Sequence, residues 1–336
     1  MFNLRKEIGS EFWDVPQSAE ENGFFPADTK WFLSGRSALQ SLIAGIRKDA
    51  SVKSAALPAW CCDSMIKPFE DIGIHVQFYP VYFENGQFVQ CLSQAENCDL
   101  LLVMDYFGYA GYSDVHSDKQ ICIRDLTHSV FSASYTDTPY QFGSLRKWAG
   151  FYTGGFAFGN AAACGDTQDT YVKLRQSAME MKSDYIRGIS DSKAYLSVFG
   201  EAETMLEETA PASACERDIL CAAHLDIQNM KQKRRENAAV LLEAFQEIAI
   251  FPNMLEEDCP LFVPILVPDG KRDALRRFLI RHEIYCPVHW PVTPMHKPDA
   301  RTEILYRDEL SLVCDQRYTL NDMDRLIETV KKFWKG

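Results

Sequence analysis

Short apolar runs alternate with helix-spaced stretches through the first 125 residues, and this alternation restricts the fold more than any other feature of the chain. Ser37–Ile46 carries Ala38, Leu39, Leu42 and Ile43 at helical spacing. Ser54–Leu57 has strand length and ends at Pro58. Ser64–Ile72 reads as a helix, with Pro68 expected near its start or at a kink. Ile74–Tyr79, Leu100–Met104 and Ile121–Ile123 read as further strands. Strand and helix following one another in this way suit βαβ units and a mostly parallel sheet sandwiched by helices.

The character changes after Gly159. Thr167–Met181 and Ser190–Glu207 look helical, and Thr209–Cys215, with Pro211 and small residues, suits a hinge. Glu216–Ile248 predicts one long helix or a broken pair. Leu261–Val267, Ile284–Val288 and Ser311–Cys314 predict strands, while Lys271–Arg281 and Leu320–Trp334 predict helices. The expected organisation is a large α/β domain over residues 1–215 and a smaller α+β domain over 216–336.

Composition narrows the function classes. The 336 residues hold 46% hydrophobic side chains, which excludes a disordered chain. A net charge of −12 argues against a broad nucleic-acid-binding surface but leaves room for a local basic pocket. The 11 cysteines are odd in number and contain no Cys-x-x-Cys, so reduced thiols in a cytoplasmic protein are expected. Residues 1–14 place charges on both sides of a short apolar stretch and do not read as a signal peptide. The longest uncharged run, Trp148–Gly165, is rich in glycine and reads as a turn and strand, so no membrane span is expected.

Three segments carry candidate chemistry. Ser34-Gly35-Arg36-Ser37 opens a helix, and reads either as a phosphate site built from backbone N–H groups, Arg36 and Ser37, or as a plain N-cap. Arg124-Asp125-Leu126-Thr127-His128 follows a strand. Its carboxylate either faces the ligand crevice of an open α/β sheet or caps a helix beside a surface histidine. Ser144-Leu145-Arg146-Lys147 precedes Gly154-Gly155. Lys147 is either a nucleophilic amine activated by burial or a lysine snorkelling past Trp148.

In order, these segments resemble the DegT/StrS-type sugar aminotransferases, fold-type I enzymes dependent on pyridoxal 5′-phosphate. Gly35-Arg36-Ser37-Ala38-Leu39 is similar to that family's Gly-Thr-x-Ala-Leu turn. Pro58 to Gly73 matches its loop and helix in length, and Asp125-Leu126-Thr127-His128 is similar to its Asp-Ala-Ala-His or Asp-Ala-Ala-Gln segment. Gly154 and Gly155 follow Lys147 at the family's offsets of seven and eight. Arg234-Arg235-Glu236-Asn237-Ala238, Tyr285 to Pro291 and Leu310-Ser311-Leu312 resemble its later motifs. Four departures stand out. Ser144 lies three residues before the lysine, where the family has its serine five before; Arg36 replaces a threonine; the family's Gly-Tyr-Asn-x-Arg segment is not visible; and the chain is short for a member.

The resemblance implies a set of roles. Lys147 would hold the cofactor as a Schiff base, Asp125 would pair with the pyridine nitrogen, and His128 would lie near the ring hydroxyl. Gly35, Arg36 and Ser37 would hold the phosphate with Ser144. Either Trp60 or Cys62 would lie against the ring. The implied reaction moves an amino group from a donor, glutamate by family, to a nucleotide-linked keto sugar in ping-pong fashion. Arg146, Arg187, Arg234 and Arg235 are candidates for anionic substrate groups, beside the alternative of solvated surface arginines. A homodimer is implied as well. The rival readings are a non-catalytic ligand-binding relative, a sugar dehydratase, whose members carry histidine in place of the lysine, and a cysteine-based redox protein resting on Cys61-Cys62. Neither a nucleic acid nor a metal enters this reading.

Overall fold

The computed structural model describes residues 7–95, 97–109, 119–132 and 138–335. In chain order the elements are β1 (Ile8–Gly9), β2 (Lys30–Phe32), α1 (Gly35–Asp49), β3 (Ser54–Pro58), α2 (Asp63–Glu70), β4 (His75–Tyr79), β5 (Val81–Glu84), β6 (Gln87–Gln90), β7 (Leu100–Met104), β8 (Ile121–Asp125), β9 (Tyr140–Ser144) and β10 (Gly155–Phe158). There follow α3 (Asp169–Ile186), α4 (Tyr195–Glu208), α5 (Glu216–Ala223), α6 (Ile227–Phe245), β11 (Phe262–Leu266), α7 (Arg272–Arg281), β12 (Ile284–Tyr285), α8 (Ala300–Asp308), β13 (Glu309–Val313) and α9 (Leu320–Lys335). This is the α/β class that the alternation predicts. The chain forms two compact units, Met1–Asp49 with Phe142–Ile227 and Ala50–Gln141 with Gln228–Gly336.

In the first unit, β10 pairs antiparallel with β2, Gly155 opposite Phe32 and Ala157 opposite Lys30. Helix α1 buries Ala38, Leu39, Leu42, Ile43 and Ile46, the stripe expected from its spacing. Helices α3 and α4 pack through Ala178, Met179, Tyr185, Tyr195 and Phe199. The segment expected as a hinge runs extended, and the Ala212 carbonyl accepts from the Leu33 N–H at 2.8 Å. Residues 216–248 form the broken pair. The break follows from competition for backbone groups: Asn22 Nδ2 donates to the carbonyls of Ala222 and Leu225, and the Asp226 N–H donates to the Pro16 carbonyl.

In the second unit, β3 pairs parallel with both β4 and β7, and β7 with β8. All five residues of β7 are buried, as a continuous apolar run in a parallel sheet covered on both faces requires. Burying side chains such as these stabilises the fold by roughly 1.5–3 kcal/mol each. Strand β8 continues two residues past its apolar run, so Arg124 and Asp125 belong to the strand itself. Helix α2 tolerates Pro68 as its sixth residue and stops two residues later, rather than starting there. Strand β12 ends before Pro287, which has no N–H to donate. Strands β11 and β13 form an antiparallel pair of five residues each. The hairpin β5–β6 turns at Asn85-Gly86, both in the left-handed region.

No helix among the described residues is long and apolar enough to cross a membrane. All 11 cysteines are thiols rather than disulfides.

Candidate functional site

The phosphate-turn candidate lies in the first unit, where β2 hands over to α1. Ser34 Oγ accepts from the Ser37 N–H at 3.1 Å and lies 3.2 Å from Ser37 Oγ, so the N-cap and a buried hydroxyl pair coexist at one helix start. Gly35 sits directly against β9: a Cβ on it would lie 3.4 Å from the Ser144 Cβ and 3.5 Å from the Gly143 carbonyl oxygen. Ser34, Ser37 and Ser144 are all buried. Arg36 donates to the Glu207 carbonyl at 3.5 Å, while its Nε is buried without a hydrogen-bond partner among the described residues. Three hydroxyls, a guanidinium with an unspent donor and a helix N-terminus are a donor set that fits a phosphate group.

Lys147 ends a tight 3-10 turn, Leu145–Lys147, that follows β9. The turn is closed by the Leu145 N–H donating to the Gly154 carbonyl at 2.8 Å, with Gly154 at φ 95°. Leu145 and Trp148 point inward, which leaves Lys147 exposed. Activation by burial is therefore not what this chain provides for Lys147. Its surroundings are charged instead. Glu203 lies close to Arg146 and 3.3 Å from Arg175. Burial pushes the Glu203 carboxyl up, but Arg146, Arg175 and Lys147 outweigh it and hold the group below the usual carboxylate range.

The second unit holds Asp125 and His128. Asp125 is the last residue of β8, and its buried Oδ1 accepts from the Thr127 N–H at 2.7 Å. The preceding Arg124 forms a buried ion pair with Asp105 at 2.9 Å, and Ser129 Oγ donates to the same carboxylate at 3.2 Å. Asp105 in turn bonds through its N–H to the Asp125 carbonyl at 3.1 Å, which fixes the strand end. His128 is buried, not a surface histidine. Its ring stacks on Trp290 at 5.5 Å and 22°, with Phe107 at 5.0 Å and His289 edge-on at 5.3 Å.

The open choice between Trp60 and Cys62 meets different surroundings at the two positions. Trp60 is fully buried, stacked on Tyr106 at 5.2 Å and 9° and flanked by Phe107 and Trp290. It is core, with no face left for a ligand ring. Cys62 is half-buried at the N-cap of α2 and accepts from Ser64 Oγ at 3.1 Å. Three of the four arginines considered for anionic substrates are structural. Arg234 is fully buried and donates to the Pro260 and Leu261 carbonyls at 3.2 and 3.0 Å. Arg235 donates to the Leu255 and Asp258 carbonyls, and Arg146 is held by Glu203. Arg187 is exposed. Sequence reasoning missed Phe107, His289 and Trp290 as walls around His128. The last two stood inside the segment Tyr285 to Pro291, whose resemblance carried no role for either.

No family model matches the sequence, and no curated protein matches it. Solved structures do. A sugar aminotransferase of Streptococcus pneumoniae, Spr1654 in its PMP form, matches with a TM-score of 0.60 at 14% identity, over 90% of this chain and 85% of that one. PseC of Helicobacter pylori, an aminotransferase of pseudoaminic acid biosynthesis, matches with a TM-score of 0.61 at 14% identity, over 96% and 99% of the two chains. DesV of S. venezuelae, solved with a ketimine intermediate, matches with a TM-score of 0.60 at 15% identity, over 98% and 90%. At these identities the likeness establishes the fold.

Proposed function

We propose that this chain is a pyridoxal 5′-phosphate-dependent aminotransferase acting on a keto sugar. The observation that carries the reading is the likeness to sugar aminotransferases over nine-tenths or more of the chain, from 90% to 98% in the three structures above. The donor set at the start of α1 and the buried strand-end carboxylate of Asp125 support it. A nucleotide on the sugar and glutamate as donor belong to the same proposal. So do a homodimer, a cytoplasmic location, and a cofactor-binding domain over residues 1–215 with a small domain over 216–336.

When bound, pyridoxal phosphate supplies an electron sink that eases the breaking of a donor's α-carbon–hydrogen bond. Lys147 Nζ is the amine that would bind the cofactor and take up and return the donor's α-proton. Its exposure leaves that amine accessible for both tasks. Asp125 would set a carboxylate against the pyridine nitrogen, and an opposite charge favours its protonated form. His128 would lie beside the ring hydroxyl. Ser37, Ser144, Arg36 and the Gly35 turn would hold the phosphate. Cys62, rather than the enclosed Trp60, would lie against the ring.

Visible spectra of the wild type and of Lys147→Ala, with pyridoxal phosphate and then glutamate added, test the reading. A band present in wild type, absent in the variant and bleached by glutamate is the expected result. Wild-type protein that takes up no cofactor refutes the proposal. A band that no amino donor bleaches favours the non-catalytic relative.

A further inference from the structure

Strand β13 places Glu309 and Ser311 on one face, because side chains two apart along a strand point the same way. Both are fully buried. Across from them stands His289, also buried, and three short contacts join the group. The His289 N–H donates to Glu309 Oε2 at 2.7 Å. Ser311 Oγ donates to Glu309 Oε1 at 2.5 Å. His289 Nδ1 lies 2.8 Å from Ser311 Oγ. The Glu309 carboxylate is thus committed on both oxygens, one to a backbone donor and one to a hydroxyl.

Proton counting then fixes the imidazole. A serine hydroxyl has one proton, and that of Ser311 is spent on Glu309. Ser311 Oγ can therefore only accept from His289, so Nδ1 carries a proton. In the neutral ring Nε2 is left with its lone pair. Nε2 occupies the ring edge away from Ser311 and makes no hydrogen bond among the described residues. The same ring contacts Phe107 at 5.2 Å, His128 at 5.3 Å and Trp290 at 5.2 Å.

We infer that Glu309 and Ser311 are positioning residues that hold His289 as the Nδ1–H tautomer, so that Nε2 serves as a second proton acceptor beside His128. Its role toward a substrate rests on the aminotransferase reading. The tautomer does not, because it follows from the hydrogen bonds with Glu309 as a carboxylate. The carboxylate acts at a distance of two hydrogen bonds, through a hydroxyl that passes on its preference without itself titrating. Ser311, with one donor and an acceptor oxygen, links the acid to the ring.

The decisive variant is Glu309→Gln. The backbone N–H of His289 requires an oxygen at the Oε2 position, so the amide nitrogen falls opposite Ser311. An amide N–H there donates to Ser311 Oγ and frees its proton for His289 Nδ1. The expected result is a switch of tautomer, from Nδ1–H in wild type to Nε2–H in the variant, read by long-range nitrogen–proton correlation of the labelled His289 ring. Wild type in the Nε2–H form, or a variant that keeps Nδ1–H, overturns the inference. Where Glu309→Gln does not fold, Ser311→Ala and the wild-type spectrum decide. Alanine abolishes the relay and should leave a mixture of tautomers, and a persistent single Nδ1–H form refutes the role of Ser311. On cofactor-loaded protein, Glu309→Gln should slow bleaching by the amino donor at least tenfold while the visible band is unchanged, and Glu309→Asp should recover part of that rate. Unchanged bleaching alongside a switched tautomer refutes the role toward substrate. Failure of wild type to take up pyridoxal phosphate counts against the aminotransferase reading, while the tautomer measurement still stands or falls by itself.

Discussion

Gly155→Ala should damage the helix start that carries the phosphate turn, and Gly35→Ala should not. Gly155 opens β10, and a Cβ placed on it would lie 2.2 Å from the Ser34 carbonyl oxygen and 2.3 Å from the Ser34 carbonyl carbon. Ordinary contact begins at 3.4 Å, so backbone must give way by about 1.2 Å. Ser34 cannot yield freely. Its carbonyl accepts the Ala38 N–H at 3.0 Å, its Oγ caps Ser37, and its neighbour Leu33 is tied to Ala212. Overpacking of this kind costs about 1–3 kcal/mol, and loss of the cap about 1 kcal/mol more. A total near 3 kcal/mol lowers the thermal midpoint by roughly 6–12 °C. On Gly35 the new Cβ would meet only ordinary contacts at 3.4 Å or more, and alanine is the better helix former. That variant should stay within about 0.5 kcal/mol of wild type. Calorimetry or circular dichroism melts of the three proteins decide. The reasoning is refuted if Gly155→Ala melts within 2 °C of wild type, or if both variants lose the same stability.

Two further outcomes follow from buried groups in the second unit. The Tyr306 hydroxyl donates to the Ala59 carbonyl at 2.8 Å and accepts the Cys61 N–H at 3.1 Å. Tyr306→Phe leaves both backbone groups unsatisfied and should cost about 1–3 kcal/mol in urea titrations; a loss under about 0.5 kcal/mol would show that the strand-to-helix loop satisfies itself. Burial pushes the Asp315 carboxyl up, but Arg317 at 2.8 Å and Arg234 overcome it and hold the group below its ordinary value. A carboxyl lowered in the folded state stabilises fully above its unfolded pKa of about 3.9, and that contribution disappears as pH falls further. Stability should therefore drop below about pH 4 more steeply in wild type than in Asp315→Asn, measured as denaturation midpoints against pH.

The strands and helices were legible where burial alone decides them. Leu100–Met104 needs no context, since five consecutive apolar residues of strand length fit only a buried position. Where backbone groups compete, the pattern is silent. The gap between α5 and α6 depends on Asn22, some 200 residues away in sequence, taking the terminal carbonyls. The β5–β6 hairpin left a readable signal in Asn85-Gly86, flanked by alternating residues, which the reading passed over. In the site, residue types were legible and their surroundings were not. Asp125 stood out as a strand-end carboxylate, but the Arg124–Asp105 pair behind it joins residues 19 apart in sequence. Lys147 drew attention for its glycine-rich neighbours. Those glycines shape a turn that turns the lysine outward instead of enclosing it. Trp60 looked available as a large aromatic, and burial against Tyr106 removed it.

Helix α6 is sewn to its surroundings by side chains that read mostly main chain; the exception is Arg234 Nε, which donates to Gln316 Oε1 at 2.8 Å. Asn237 Nδ2 donates to the carbonyls of Cys314, Asp315 and Tyr318, at 3.3, 3.1 and 3.1 Å, while Arg234 takes those of Pro260 and Leu261. Carbonyl oxygens are the same whatever residue bears them. Apart from Gln316 and Asp315, whose side chains meet Arg234, the two loops are therefore open to substitution of their side chains, as far as this seam is concerned, and closed to insertion or deletion. Evolution or a protein engineer can redecorate the loops at 260–261 and 314–318, outside Gln316 and Asp315, without losing the seam, but a change of one residue in their length moves every carbonyl out of register at once.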